Sequence, residues 1–293
     1  MQMANLSMTN NNMRLKKAVI YHPVKNILQN NNFNIEMQSL ADLLWQTGAY
    51  DEIRLLHGKQ DLAIYDEIWC SCFLASVEAE SLQDLKWRQV LFYVANDPEF
   101  FELPECIIER INYIAFCGSD KAYYEHLWQD KPVISIDLWQ NMFRGKRAKL
   151  QNLDEYIYDL GYAGNERSQW RIGRLNLLRK DINSKIIGCA GNAKLPLVES
   201  QTEMRLCLSQ LVIGDLSHKG LFPYSHRLLQ GLTLSPFIFI DSALCDDLGD
   251  DLLSQWFVVD TAEQIASTIA MLKKHKEFRL DMYNRFSQLL NND

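Results

Sequence analysis

Short apolar runs alternate with amphipathic stretches along the chain, and that rhythm predicts its elements. Residues 17–22 (KAVIYH) are apolar and β-branched and read as a strand. Residues 37–47 read as a helix, because Met37, Leu40, Leu43 and Leu44 recur on one face and Gly48 follows as a stop. Strands follow at 52–56, 67–73 (EIWCSCF) and 89–95 (QVLFYVA), with an acidic helix at 77–86 between the last two. Asn96-Asp97-Pro98 turns the chain, and 113–117 and 132–136 are further short strands. Strands that alternate with helices imply parallel βαβ units in a doubly wound sheet.

Residues 141–154 break the rhythm. They carry Arg144, Lys146, Arg147 and Lys149 and read as an interdomain linker. The alternation then restarts, with strands at 157–162, 185–188, 210–213 and 236–240 and helices at 168–179, near Glu203, at 260–274 and at 278–290. The pattern predicts an α/β fold of two Rossmann-like doubly wound domains facing a central cleft, with ligands at the carboxyl ends of the strands. The expected division is a disordered tail at 1–12, an N-terminal domain at 13–150 and a C-terminal domain at 151–272. A last helix at 273–293 is expected to pack back on the N-terminal domain.

Composition narrows the class. Of 293 residues, 47% are apolar and 23% charged, which supplies real cores and excludes wholesale disorder. No apolar run approaches the ~20 residues of a membrane span. The polar, Asn-rich start lacks the basic and apolar regions of a signal peptide. The seven cysteines are odd in number and form no CxxC pair, so neither a disulfide framework nor a zinc site is expected. Cys70 and Cys72 alternate on one strand face and read as buried packing in a reducing cytoplasm. The seven tryptophans recur at helical or strand spacing and read as core. Net charge is −7, and neither half is basic. That counts against a broad nucleic-acid-coating surface and leaves room for a local basic groove.

Three segments carry candidate chemistry. In the first, a strand ends at Tyr162-Ala163-Gly164-Asn165 and a helix begins, with Arg167 and Arg171 four apart on one face. Free N–H groups, the helix dipole and two guanidinium groups make a pyrophosphate clamp there. No GK[ST] follows, so it is not a Walker loop. In the second, Ile213-Gly214-Asp215 leads through a loop to a helix starting near His226-Arg227, with Gln230 one turn later. An anion-binding arginine followed by a partner for ribose hydroxyls would suit a nucleotide; the alternative reading is surface residues at a helix start. The third is Asp97, an acid at the carboxyl end of an aromatic-rich strand, where a general base would face a cleft. His22 ends the first strand, and His218 and His226 flank the second nucleotide loop; a solvated loop is the default reading for the latter two. The Lys273-Lys274-His275-Lys276 run reads as a solvated helix face.

These segments, in order and spacing over roughly residues 15–290, resemble the DNA β-glucosyltransferases of T-even phages, which have the GT-B fold. The resemblance assigns Gly164, Asn165, Arg167, Arg171, Gly214, Asp215 and Arg227 to the UDP part of a nucleotide sugar. Gln230 stands where the family has a ribose-binding glutamate; it still hydrogen-bonds a diol but lacks the charge. The 36–48 stretch is similar to a family helix whose glutamate lies near the donor sugar, here Glu36. Asp97 falls on the family's catalytic base. The resemblance implies an inverting glycosyltransferase that moves glucose, or another sugar such as arabinose, from a UDP-sugar to 5-hydroxymethylcytosine in phage duplex DNA. It implies base flipping, a monomer in the cytoplasm of an infected bacterial host, and no membrane partner. Arg144, Lys146, Arg147 and Lys149 are the candidate DNA phosphate contacts. No tightly bound cofactor and no protein metal site are expected, although Mg2+ is compatible with product release. The competing enzyme reading is a GT-B transferase for a glycan, lipid or protein acceptor, which suits the acidic balance.

Overall fold

The computed structural model describes residues 15–22, 31–58, 60–71, 82, 85–86, 88–95, 105–116, 125–126, 128, 130–136, 138–143, 145–164, 172–175, 182–188, 197–213, 226–245 and 247–289. The chain forms two compact units, one from residue 1 to Met142 and one from Phe143 to Asn292.

The first unit runs β1 (Lys16–His22), α1 (Asn31–Gln46), β2 (Tyr50–His57), β3 (Glu67–Ser71), β4 (Val90–Ala95), α2 (Glu105–Arg110), β5 (Tyr113–Phe116) and β6 (Val133–Ser135). The six strands pair in parallel in the order β2-β1-β3-β4-β5-β6. Parallel strands need crossovers, and crossovers cover both faces, so β1 is apolar at consecutive positions and Ala18, Val19, Ile20 and Tyr21 are all buried. One face packs Val19, Tyr21, Ile68, Cys70, Leu91, Tyr93, Ile114 and Phe116 into a core. On the other, Trp69, Phe92 and Tyr113 stand in register across β3, β4 and β5 and stack at 3.9 and 5.0 Å. The helix expected at 37–47 is longer and begins at Asn31. Its buried stripe is Met37, Leu40, Ala41 and Leu44, whereas Trp45 is exposed, a departure from the reading of the tryptophans as core. Gly48, at φ 67°, ends the helix by donating its N–H to the Trp45 carbonyl. The acidic helix expected at 77–86 falls largely outside the described residues.

A short helix, α3 (Leu138–Phe143), leads to the second unit. There the order is a 3-10 turn (Leu153–Glu155), β7 (Tyr158–Gly164), helical residues 172–175, β8 (Ser184–Gly188), α4 (Leu197–Arg205), β9 (Cys207–Val212) and α5 (His226–Leu234). It continues with β10 (Phe237–Asp241), α6 (Asp251–Phe257), β11 (Val258–Val259), α7 (Ala262–Lys274) and α8 (Lys276–Leu289). Its strands are parallel, in the order β11-β10-β9-β7-β8. Read from β7, this repeats the order of the first five strands of the first unit. Both are therefore doubly wound sheets whose strand order reverses beside their first strand, between β1 and β3 and between β7 and β9.

Two differences from the sequence reading have physical reasons. β9 starts at Cys207 rather than 210, because Ser209 and Gln210 are polar yet buried. Ser209 Oγ donates to the Asp159 carbonyl at 2.6 Å and Gln210 Nε2 to Ser235 Oγ at 2.9 Å, which compensates their burial. α6 was not predicted. It is started by Asp250, whose carboxylate accepts from the Leu252 and Leu253 N–H groups, and it buries Leu253 and Phe257. α8 packs within the second unit, with Phe286 edge-on to Phe237 and Phe257.

Candidate functional site

The second sheet turns a bare backbone toward its carboxyl edge. β7 ends at Gly164, which pairs with Gly188 at the end of β8, so two neighbouring strands finish without side chains. A Cβ on Gly164 would stand 2.7 Å from the Tyr162 hydroxyl, so a larger residue there would have to displace that hydroxyl. Next across the sheet is β9, which is buried throughout and continues into buried Ile213. Arg227, the second residue of α5, is exposed at this edge, and its Nη1 donates to the Ile213 carbonyl at 3.3 Å. That bond holds the guanidinium beside the strand end. Gln230 is half-buried one position beyond Leu229 on the same helix. Helix α5 approaches β10 closely because residue 231 is glycine: a Cβ there would lie 2.6 Å from Ile238 Cδ1.

The next strand end carries a pair that the sequence reading missed. Asp241 closes β10 and is buried. Its carboxylate receives Arg174 Nε at 2.8 Å and Nη2 at 2.9 Å in a bidentate fork. No local signal reveals this, because the partners are 67 positions apart.

In the first unit, Glu36 lies on α1, half-buried. Desolvation pushes its carboxyl up to about 7, which makes it a group that changes charge near neutrality. Asp97, the candidate base, lies outside the described residues, as do Asn165, Arg167, Arg171, Gly214, Asp215 and His218. The side chains of His22 and His226 do too.

The basic cluster at 144–149 divides. Lys146 and Lys149 are exposed, and Arg144 is outside the described residues. Arg147 is turned inward: Nη1 donates to the Leu232 and Ser235 carbonyls, Nη2 to the Pro236 carbonyl and Nε to Ser287 Oγ, with the guanidinium 4.6 Å over the Tyr283 ring. Burial pushes its pKa down to about 10, so it stays charged at neutral pH. These internal bonds remove Arg147 from the candidate phosphate contacts and make it a clip that holds the entry of the second unit onto α5 and β10. Among the described residues, no three His, Cys, Asp or Glu side chains gather into a metal-binding group. Nor, among the described residues, is any helix long and apolar enough to cross a membrane.

Two doubly wound parallel sheets in tandem, each in its own unit, define the GT-B class of fold. Among solved structures, the chain is similar to the DNA-modifying enzyme β-glucosyltransferase, solved with and without uridine diphosphoglucose, at 16% identity, 94% coverage of both chains and a TM-score of 0.67. The T4 phage β-glucosyltransferase in complex with UDP-glucose matches at 14% identity, 94% coverage of both chains and a TM-score of 0.65. The same T4 enzyme with UDP and Mn2+ scores 0.64 at 14% identity and the same coverage. An α1,3-fucosyltransferase matches at 11% identity over 94% of this chain and 83% of its own, with a TM-score of 0.50. No family model and no curated sequence matches. The likeness is one of fold.

Proposed function

We propose that the chain is an inverting glycosyltransferase that uses a UDP-sugar and modifies 5-hydroxymethylcytosine in phage duplex DNA. The observation that carries the reading is the carboxyl edge of the second sheet. Bare glycine strand ends and an arginine at a helix start stand where a doubly wound fold binds nucleotides, in a fold shared over 94% of its length with a UDP-glucose-using DNA-modifying enzyme.

Arg167, Arg171 and Arg227 bind the diphosphate and stabilise the charge that builds on it as the bond to C1 of the sugar breaks. Gly164, Asn165, Gly214 and Asp215 form the turns that admit the nucleotide, and Gln230 hydrogen-bonds the ribose diol. Asp97 takes the proton of the acceptor hydroxyl as its oxygen attacks C1 from the face opposite UDP. One in-line displacement inverts the anomeric carbon and releases UDP. Glu36 lies near the sugar. The target base is flipped out of the duplex, since a stacked base is out of reach. Arg144, Lys146 and Lys149 supply phosphate contacts. Mg2+, if bound with the nucleotide, would add positive charge beside the departing UDP.

The net charge of −7 and the inward turn of Arg147 favour a second reading, a glycan, lipid or protein acceptor with the same donor site. UDP release from a panel of UDP-sugars separates the two. Turnover only with hydroxymethylated duplex DNA supports the first and names the sugar. Turnover indifferent to DNA supports the second. No binding of any UDP-sugar overturns both.

A further inference from the structure

We propose that Arg174 is a positioning residue for the nucleotide site, through its ion pair with Asp241; this rests on the donor-site reading above. In the sheet order, β9 lies between β7 and β10. Arg174 belongs to the helical residues that follow β7, and Asp241 is the last residue of β10. The pair therefore spans the carboxyl end of β9, where Arg227 rests on the Ile213 carbonyl. It ties helical residues 172–175 to β10, two places from β7 in the sheet, at the edge where the proposed nucleotide binds.

The bond is built for direction. The guanidinium meets the carboxylate through two parallel N–H donors, and the carboxylate is itself held by the Ala243 N–H at 3.1 Å. The Asp241 side chain is 1% exposed and that of Arg174 17%. A pair so removed from water gains little net stability over an apolar packing, so its stability value does not account for it; a fixed orientation does. It has a second consequence. An unpaired carboxylate at this edge would repel a diphosphate, and the fork cancels that charge. Arg171, one of the two arginines assigned to the diphosphate, stands three positions before Arg174 in the chain. Holding Arg174 constrains the chain three positions from Arg171 in the sequence.

The test is UDP titration of the full chain as wild type, R174K, R171A and R174K/R171A, well below their thermal transitions. R174K keeps a positive charge against Asp241 but loses the fork. UDP affinity is expected to fall about tenfold in R174K, as a small misplacement of binding groups would produce. In the R171A background the same change is expected to cost less than about twofold, because the arginine it positions is gone. A lowered thermal midpoint with unchanged UDP affinity marks a purely structural pair and overturns the proposal. Losses that multiply independently overturn it too. Wild-type chain that binds neither UDP nor a UDP-sugar overturns the donor-site reading, and the proposal falls with it.

Discussion

The two sheets share a strand order but bury charge at opposite edges. In the first unit a carboxylate that is buried among the described residues is Glu67, the first residue of β3. It accepts from Lys16 Nζ at 2.5 Å and from Tyr50 Oη at 2.6 Å, and these partners open β1 and β2. The amino edge of that sheet is thus sealed by an ion pair and a hydroxyl, and burial together with Glu67 pushes the Tyr50 hydroxyl pKa up. In the second unit such a carboxylate is Asp241, the last residue of β10, gripped at the carboxyl edge. Ligands of doubly wound sheets bind at the carboxyl edge only. The same kind of bond is therefore scaffold in one unit and, on the proposal above, support for a donor site in the other.

The sharpest way to separate the units is Asp97→Asn. Loss of a general base is expected to lower kcat roughly 10²- to 10⁴-fold while UDP affinity, a property of the second unit, stays as in wild type. Single-turnover kinetics with UDP titration alongside checks it, and a matching fall in UDP affinity would break the division of labour. Next is Arg227→Ala. Losing a charge-assisted contact to the diphosphate is expected to weaken UDP roughly 10- to 100-fold, about 1.5–3 kcal/mol, with little change in thermal midpoint, since Arg227 is exposed. Glu67→Gln is the mirror experiment at the amino edge. It is expected to cost about 1–2 kcal/mol of stability in denaturant titration and to leave UDP affinity unaltered.

The smallest effect expected is a pH dependence from Glu36. Its carboxyl is raised from 4.5 to about 7 by burial, so between those values the folded chain binds more protons than the unfolded one. Stability then falls as pH rises from about 4.5, and the loss is complete once the folded carboxyl has ionised above about 7. Glu36→Gln is expected to flatten this part of the profile of thermal midpoint against pH. A wild-type profile that instead rises through the window would show the carboxylate to be stabilised by a partner.

Much of the fold was legible because parallel strands covered on both faces must be apolar at consecutive positions. KAVIYH, LFYVA and FIFID announce β1, β4 and β10 for that reason. The start of β9 was not legible, because Ser209 is polar and finds its partner 50 positions away. The place of Arg227 at a helix start beside a strand end was legible, since a strand, a loop and a helix start are local features. Arg147 was misassigned for the opposite reason. A run of basic residues reads as an exposed patch, yet the carbonyls that draw Arg147 inward come from Leu232, Ser235 and Pro236.

What the sequence determined by itself is what nearest neighbours along the chain can encode. That covers element type, the two-sheet alternation, and the turns and helix starts that carry the candidate donor residues. What only the tertiary structure decided is the pairing of groups far apart in the chain: Arg174 with Asp241, Lys16 and Tyr50 with Glu67, and Arg147 with three carbonyls. A buried charge must find a partner wherever the fold brings one, and that partner is fixed by strand order and register rather than by any local pattern.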